Sequence, residues 1–169
     1  DNSHGINNIT LRTGAAGNSD TISFVGRMLV VDTVTIDGAD AAVTDNGNAT
    51  VDIAAANLDA TVSTFGTAGA NNEVDTEVAN LSVNSSASNG DQFINESDGL
   101  LSLALNAGTG NLQLSTGDAI TDGDAAADIL ADVANVTAAG QVGTGANMIG
   151  KMASDPTMRT AAGNVDRSD

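Results

Sequence analysis

The chain has no Cys, no Trp, no Tyr, one Pro and three Phe among 169 residues. Each scarcity closes off a class of protein. Without Cys there is no disulfide framework and no thiolate metal site. This fits an exported bacterial or archaeal protein stabilised by repetition. Without Trp and Tyr there are no large rings to act as sugar platforms. The apolar side chains are mostly Ala, Val, Leu and Ile, which suit a thin core between short facing strands rather than the thick core of an α/β enzyme. The one His, His4, stands near the first residue. A Ser/His/Asp or Cys/His nucleophile and a His-based zinc site therefore lack their parts. No Walker-type phosphate loop occurs. No apolar run reaches the length needed to span a bilayer, and no signal peptide is visible. The expectation is a mature form, or a piece of something longer, with no membrane insertion.

Basic residues are scarce too. Lys and Arg number 5 against 22 Asp and Glu, for a formal net charge of −17. Residues 1–150 carry that imbalance, with Arg12 and Arg27 their only bases, while residues 151–169 balance Lys151, Arg159 and Arg167 against Asp155, Asp166 and Asp169. An acidic body repels phosphate backbones and anionic lipid, so nucleic acid is not an expected partner. It attracts cations.

What the chain does have is alternation. Val34-Thr-Ile36, Val51-Asp-Ile53, Leu81-Ser-Val83, Leu101-Ser-Leu103-Ala-Leu105 and Leu112-Gln-Leu114 place an apolar residue at every second position. That period buries one face of a strand and wets the other. Gly, Asn and Asp clusters at 13–18, 45–48, 88–91, 106–111 and 121–124 separate these runs and accept the positive φ of sharp corners. Residues 124–135 have Ala and helix-like spacing, and are ambiguous between helix and strand. Many short strands with polar corners predict an all-β fold. A parallel β-helix with coils of roughly 20–25 residues leads, and a β-sandwich is the runner-up.

A longer similarity runs over this pattern. AVTD at 42–45 matches AITD at 119–122, Asp52-Ile53 matches Asp128-Ile129, and Ala56-Asn57-Leu58 matches Ala134-Asn135-Val136. A spacing of roughly 77 residues, held throughout, is the mark of a repeat rather than of scattered coincidence. It predicts a solenoid over 1–150 made of two units, about 1–72 and 73–150, with 151–169 an atypical polar tail or the start of a further coil.

Residues 73–83 (EVDTEVANLSV), 92–105 (QFINESDGLLSLAL), 106–122 (NAGTGNLQLSTGDAITD) and 128–149 (DILADVANVTAAGQVGTGANMI) resemble the tandem repeats of large bacterial surface proteins similar to filamentous haemagglutinins. The resemblance covers most of 30–150 and rests on degenerate Gly/Ala/Thr/Asp patterns. It implies a right-handed parallel β-helix in a fibrous adhesin or stalk, with no catalytic residues to carry over. The tail, with Met152, Pro156 and Met158, departs from it.

Calcium is the leading chemical expectation, because hard cations want several oxygen ligands on a tight loop. Asp122, Asp124 and Asp128 have D-x-D-x-x-x-D spacing, and Asp45, Asn48 and Asp52 occupy the matching region of the first unit. Neither run completes an EF-hand loop. The alternative is ordinary Asp/Asn corners bonded to their own turns. Period two sets Glu73, Asp75 and Glu77 on one strand face, and Glu96 with Asp98. The bland reading of these is a solvated acidic edge that discourages edge pairing, the sharp one a glycosidase pair. Asn8, Asn48, Asn80, Asn84, Asn95 and Asn135 head N-x-S/T sequons, candidate glycosylation sites if they face outward. The expectation is a non-catalytic extracellular structural protein of the cell surface, a segment of an adhesin or fibre that pairs with itself end to end. A pilin-like sandwich donating the strand Ile6–Leu11 is an alternative, and a β-helix polysaccharide-active enzyme is another.

Overall fold

A computed structural model describes residues 5–14, 17, 19–121, 128–143, 149–160 and 167–168, with side chains described through residue 143. The described residues hold twelve strands and no helix. They are β1 (Asn8–Arg12), β2 (Thr21–Ser23), β3 (Met28–Leu29), β4 (Thr33–Thr44), β5 (Ile53–Phe65), β6 (Val74–Asn84), β7 (Gln92–Glu96), β8 (Ser102–Asn106), β9 (Asn111–Thr116), β10 (Ile129–Ala138), β11 (Ile149–Thr160) and β12 (Arg167–Ser168). Every pairing between them is parallel. The chain winds into a β-solenoid, the parallel β-helix the alternation predicts, and not a sandwich. Residues 129–135 resolve as strand.

One coil is the structural repeat. Asn8 pairs with Thr33, Thr33 with Asn57, Asn57 with Asn80 and Asn80 with Ser102, so that each coil is slightly shorter than the one before it. The longer similarity between the two halves of the chain does not coincide with this stacking. Ile53 stands between Met28 and Thr76, whereas Ile129 stands between Leu105 and Lys151, so the two occupy different columns. Ile6–Leu11 is not a free donor segment either, because β1 lies along β4 over its whole length.

Parallel stacking puts like positions of successive coils on top of one another. One inward column runs Ile9, Val34, Leu58, Leu81, Leu103, and a second runs Leu11, Ile36, Ala60, Val83, Leu105, Ile129. Val74, Ile94, Leu114 and Val136 form a third on the facing side. From the second coil onward these residues are buried. The interior is thin and filled by branched aliphatics, as the lack of Trp and Tyr requires. Outside, the polar residues of the alternation also stack. Asn57 Nδ2 donates to Thr33 Oγ1 (3.3 Å), Asn80 Nδ2 to Asn57 Oδ1 (2.8 Å) and Ser102 Oγ to Asn80 Oδ1 (2.9 Å). Three corners fall in the expected clusters, where Gly47, Asn89 and Gly108 take φ of 85°, 52° and 62°, while the corner that holds Gly66, Gly69 and Asn71, also at positive φ, lies outside them.

Candidate acidic site between two coils

The turn that joins β4 to β5 begins at Asp45 and ends at Asp52. Asp45 folds it: its Oδ2 accepts the backbone N–H groups of Gly47 (2.7 Å) and Asn48 (3.0 Å), an Asx turn. Asp52 enters β5 and stacks on the next coil. Its N–H donates to the Asp75 carbonyl (2.8 Å), and its Oδ2 accepts the Asp75 N–H (3.1 Å). Asp75, in β6, is held from the following coil by Asn95, whose Nδ2 donates to Oδ1 at 2.5 Å. An oxygen from each of Asp45, Asp52 and Asp75 lies within 4.8 Å of those of the other two.

These carboxylates are not on a wet surface. Asp52 is 1 % exposed and Asp75 5 % exposed. Each of the three uses one oxygen to hold backbone or side chain and leaves the other buried without a partner: Asp45 Oδ1, Asp52 Oδ1 and Asp75 Oδ2. Burial pushes the Asp52 carboxyl up to about 7, and the charges of Asp45 and Asp75 push it the same way against the Asp75 N–H. Burial also raises Asp75, helped by Asp45 and Glu73 and opposed by the Asn95 bond. Among the described side chains no base answers this charge. Arg12 pairs with Asp37 (3.3 Å) and Arg27 with Glu77 (2.7 Å), both on the surface.

A second buried carboxyl stands one column away. Glu96, stacked on Thr76, is 1 % exposed. Its Oε2 accepts the Thr76 hydroxyl (2.6 Å), and both oxygens accept the Val78 N–H (3.2 Å each). Burial first, then a hydrogen bond with the Asp98 side chain, raises it to about 8. The solvated acidic edge read from period two is therefore corrected. Asp75 and Glu96 are buried, Glu73 is half-buried, Glu77 is ion-paired, and of the five only Asp98 is exposed.

The remaining expected residues are dispersed. Asn48 is half-buried in the Asp45 turn, where its Oδ1 accepts the Thr50 N–H (2.7 Å) and its side chain also bonds Asn46. It stays with its own turn, and Asp75 is the residue that joins Asp45 and Asp52. Asp128 is buried at the start of β10; Asp122 and Asp124 lie outside the described residues, as does His4. Among the sequons, Asn8, Asn84 and Asn135 are exposed. Asn80 and Asn95 already commit the side-chain nitrogen to which a glycan would be attached, to Asn57 and Asp75.

Comparison of the chain with protein-family models, with curated proteins and with solved structures finds no match. No helix among the described residues is long and apolar enough to cross a membrane.

Proposed function

We propose that this chain is a non-catalytic structural segment of an extracellular, cell-surface protein, a length of adhesin stalk or fibre whose work is mechanical. The observation that carries the reading is the uneven distribution of exposed apolar side chains. Ile6 (58 %), Val25 (79 %) and Leu29 (69 %) lie in the first coil and Val31 (59 %) stacks on Ile6 where the second begins, and the only other large one among the described residues is Leu101 (63 %) in a later turn. A solenoid coil makes its contacts with the coils before and after it. The first described coil has a neighbour on one side, and its surplus apolar surface suits further coils, from the same chain or from a second copy docked end to end. The acidic body with few bases favours a soluble, extended rod and disfavours nucleic acid and anionic lipid as partners. Glycans, if the source attaches them, fit Asn8, Asn84 and Asn135.

The test is the shape and assembly state of the purified chain. Small-angle scattering and electron microscopy across a concentration series are expected to show rods that lengthen end to end. Substituting Val25→Asn and Leu29→Asn together is expected to hold the particle at the length of one copy while circular dichroism stays unchanged. Compact monomers at every concentration, or assembly indifferent to both substitutions, count against the reading.

A further inference from the structure

The geometry points to a calcium site beneath the turn that joins β4 to β5, built by Asp45, Asp52 and Asp75 across two consecutive coils. Acidic clusters are common on surfaces and ordinarily mean nothing. This one differs in that its free oxygens are buried. A carboxylate oxygen shut away from water without a donor is costly, and each residue of this one cluster has such an atom: Asp45 Oδ1, Asp52 Oδ1 and Asp75 Oδ2. The opposite oxygen of each side chain is already fixed, by the Asp45 turn, by the Asp75 N–H and by Asn95. The carboxylates are thus oriented in advance, with one lone-pair-bearing atom apiece left over.

Among the described side chains no base is at hand to satisfy them, and the one hydrogen bond the trio can make within itself, from a protonated Asp52 to Asp45, is lost once Asp52 ionises. Arg12 and Arg27 are paired elsewhere, and the neighbouring Glu73 adds charge of the same sign. A bound cation would satisfy all three atoms at once. The donor set is all oxygen and anionic, which selects a hard ion over zinc or copper. Hydration then favours calcium: Mg²⁺ keeps several waters and demands near-ideal octahedral geometry, whereas Ca²⁺ accepts irregular sets of carboxylate oxygens such as these, one from each side chain within 4.8 Å of the others. Because Asp45 and Asp52 belong to one coil and Asp75 to the next, the ion would clip two rungs together.

The experiment is calorimetric titration of the chelator-stripped full chain with CaCl₂ at pH 8, and with MgCl₂ in parallel, accompanied by thermal melts. One saturable calcium per chain is expected, tighter than magnesium by tenfold or more, with a melting temperature that rises on saturation. Asp75→Asn and Asp52→Asn should each weaken calcium at least tenfold. Asp118→Asn, an exposed carboxylate elsewhere, should leave it unchanged. Circular dichroism checks that each variant is folded. Should a site variant not fold, Asp45→Asn in the exposed turn gives the same reading, with the Asx bond retained through its Oδ1. Absence of saturable binding up to 10 mM, or equal binding by wild type and folded site variants, overturns the proposal; the second result marks diffuse counter-ion attraction by the acidic body.

Discussion

In a buffer free of divalent cations the protein is expected to lose stability as pH rises from about 5 to 9, and Glu96→Gln to abolish most of that loss. Glu96 is buried with its carboxyl raised from an ordinary 4.5 to about 8. Folding therefore favours the protonated form. The associated stability is fully present below the unfolded pKa and disappears as pH passes through the folded one. At about 1.4 kcal/mol per pKa unit, the Glu96 share is about 4 kcal/mol by pH 9, a large part of the stability of a domain this size. Gln reproduces the protonated acid. Its Oε1 can accept from Thr76 and Val78, as Glu96 Oε2 does, and its Nε2 can donate to Asp98, the partner whose bond raises Glu96. Denaturant midpoints for the two proteins should nearly coincide at pH 4.5 and separate steadily, the variant being the more stable above pH 8. The slope that remains in the variant belongs to Asp52, whose share is lost between its ordinary 3.8 and about 7, and to Asp75, which is raised in the same direction. Parallel curves for the two proteins would mean that Glu96 is charged throughout.

The burial of Asp75 was not legible in the sequence, and the reason lies in β6. Period two makes residues 73, 75 and 77 one face, and the opposite face should then hold 74 and 76. In the structure Val74, Asp75 and Thr76 are buried in succession, because Asp75 is enclosed by Asp52, Asn95 and the Asp45 turn. Alternation describes a strand with one wet face, and it fails where a strand is covered on both. Elsewhere it held. Leu81 and Val83, Val34 and Ile36, and Leu103 and Leu105 all point inward as their spacing requires. The parallel coil followed from short alternating runs, Asn/Gly corners and small apolar side chains. What composition concealed was the register. Asp45 and Asp52 are close in sequence and stand out as a pair. Asp75 joins them only through the step from one coil to the next, the step that also sets Ile53 on Thr76 and Asn57 on Asn80. The longer similarity between AVTD at 42–45 and AITD at 119–122 masks that step, because it spans several coils and lands in a different column. Acidic residues spaced by a single coil are the signal that brings Asp75 to Asp52.

The same stacking makes certain glycines indispensable, and the largest loss from a single methyl is expected at Gly90. A Cβ there would lie 1.7 Å from the Ser63 carbonyl oxygen and 2.8 Å from its carbon. Those are backbone atoms of the preceding coil, and no flexible side chain can yield in their place. Relief would require the coils to separate locally. Nearby, the Phe65 N–H donates to the Asp91 carbonyl (3.1 Å) and Phe65 pairs with Gln92. The Gly90 carbonyl itself accepts the Ser85 hydroxyl (2.6 Å), and Gln92 Nε2 bonds both Ser85 Oγ (3.0 Å) and the Val83 carbonyl (3.1 Å). Moving Gly90 breaks buried polar contacts as well as the ladder, so Gly90→Ala should cost more than about 3 kcal/mol. Gly110 is the next residue of that column, and its added Cβ would meet the Gly90 carbonyl oxygen at 2.6 Å. Gly110→Ala should destabilise by a comparable amount. The double variant should fall short of the sum, since both changes loosen the rungs around Gly90. Gly26 provides the control: it is exposed, has no atom within 4 Å of its would-be Cβ, and Gly26→Ala should change stability by less than about 0.5 kcal/mol. Urea unfolding of the four proteins reads the result directly. A Gly90→Ala variant as stable as Gly26→Ala would show that the coils do not approach this closely at Ser63, and that the rungs are spaced by something other than their backbones.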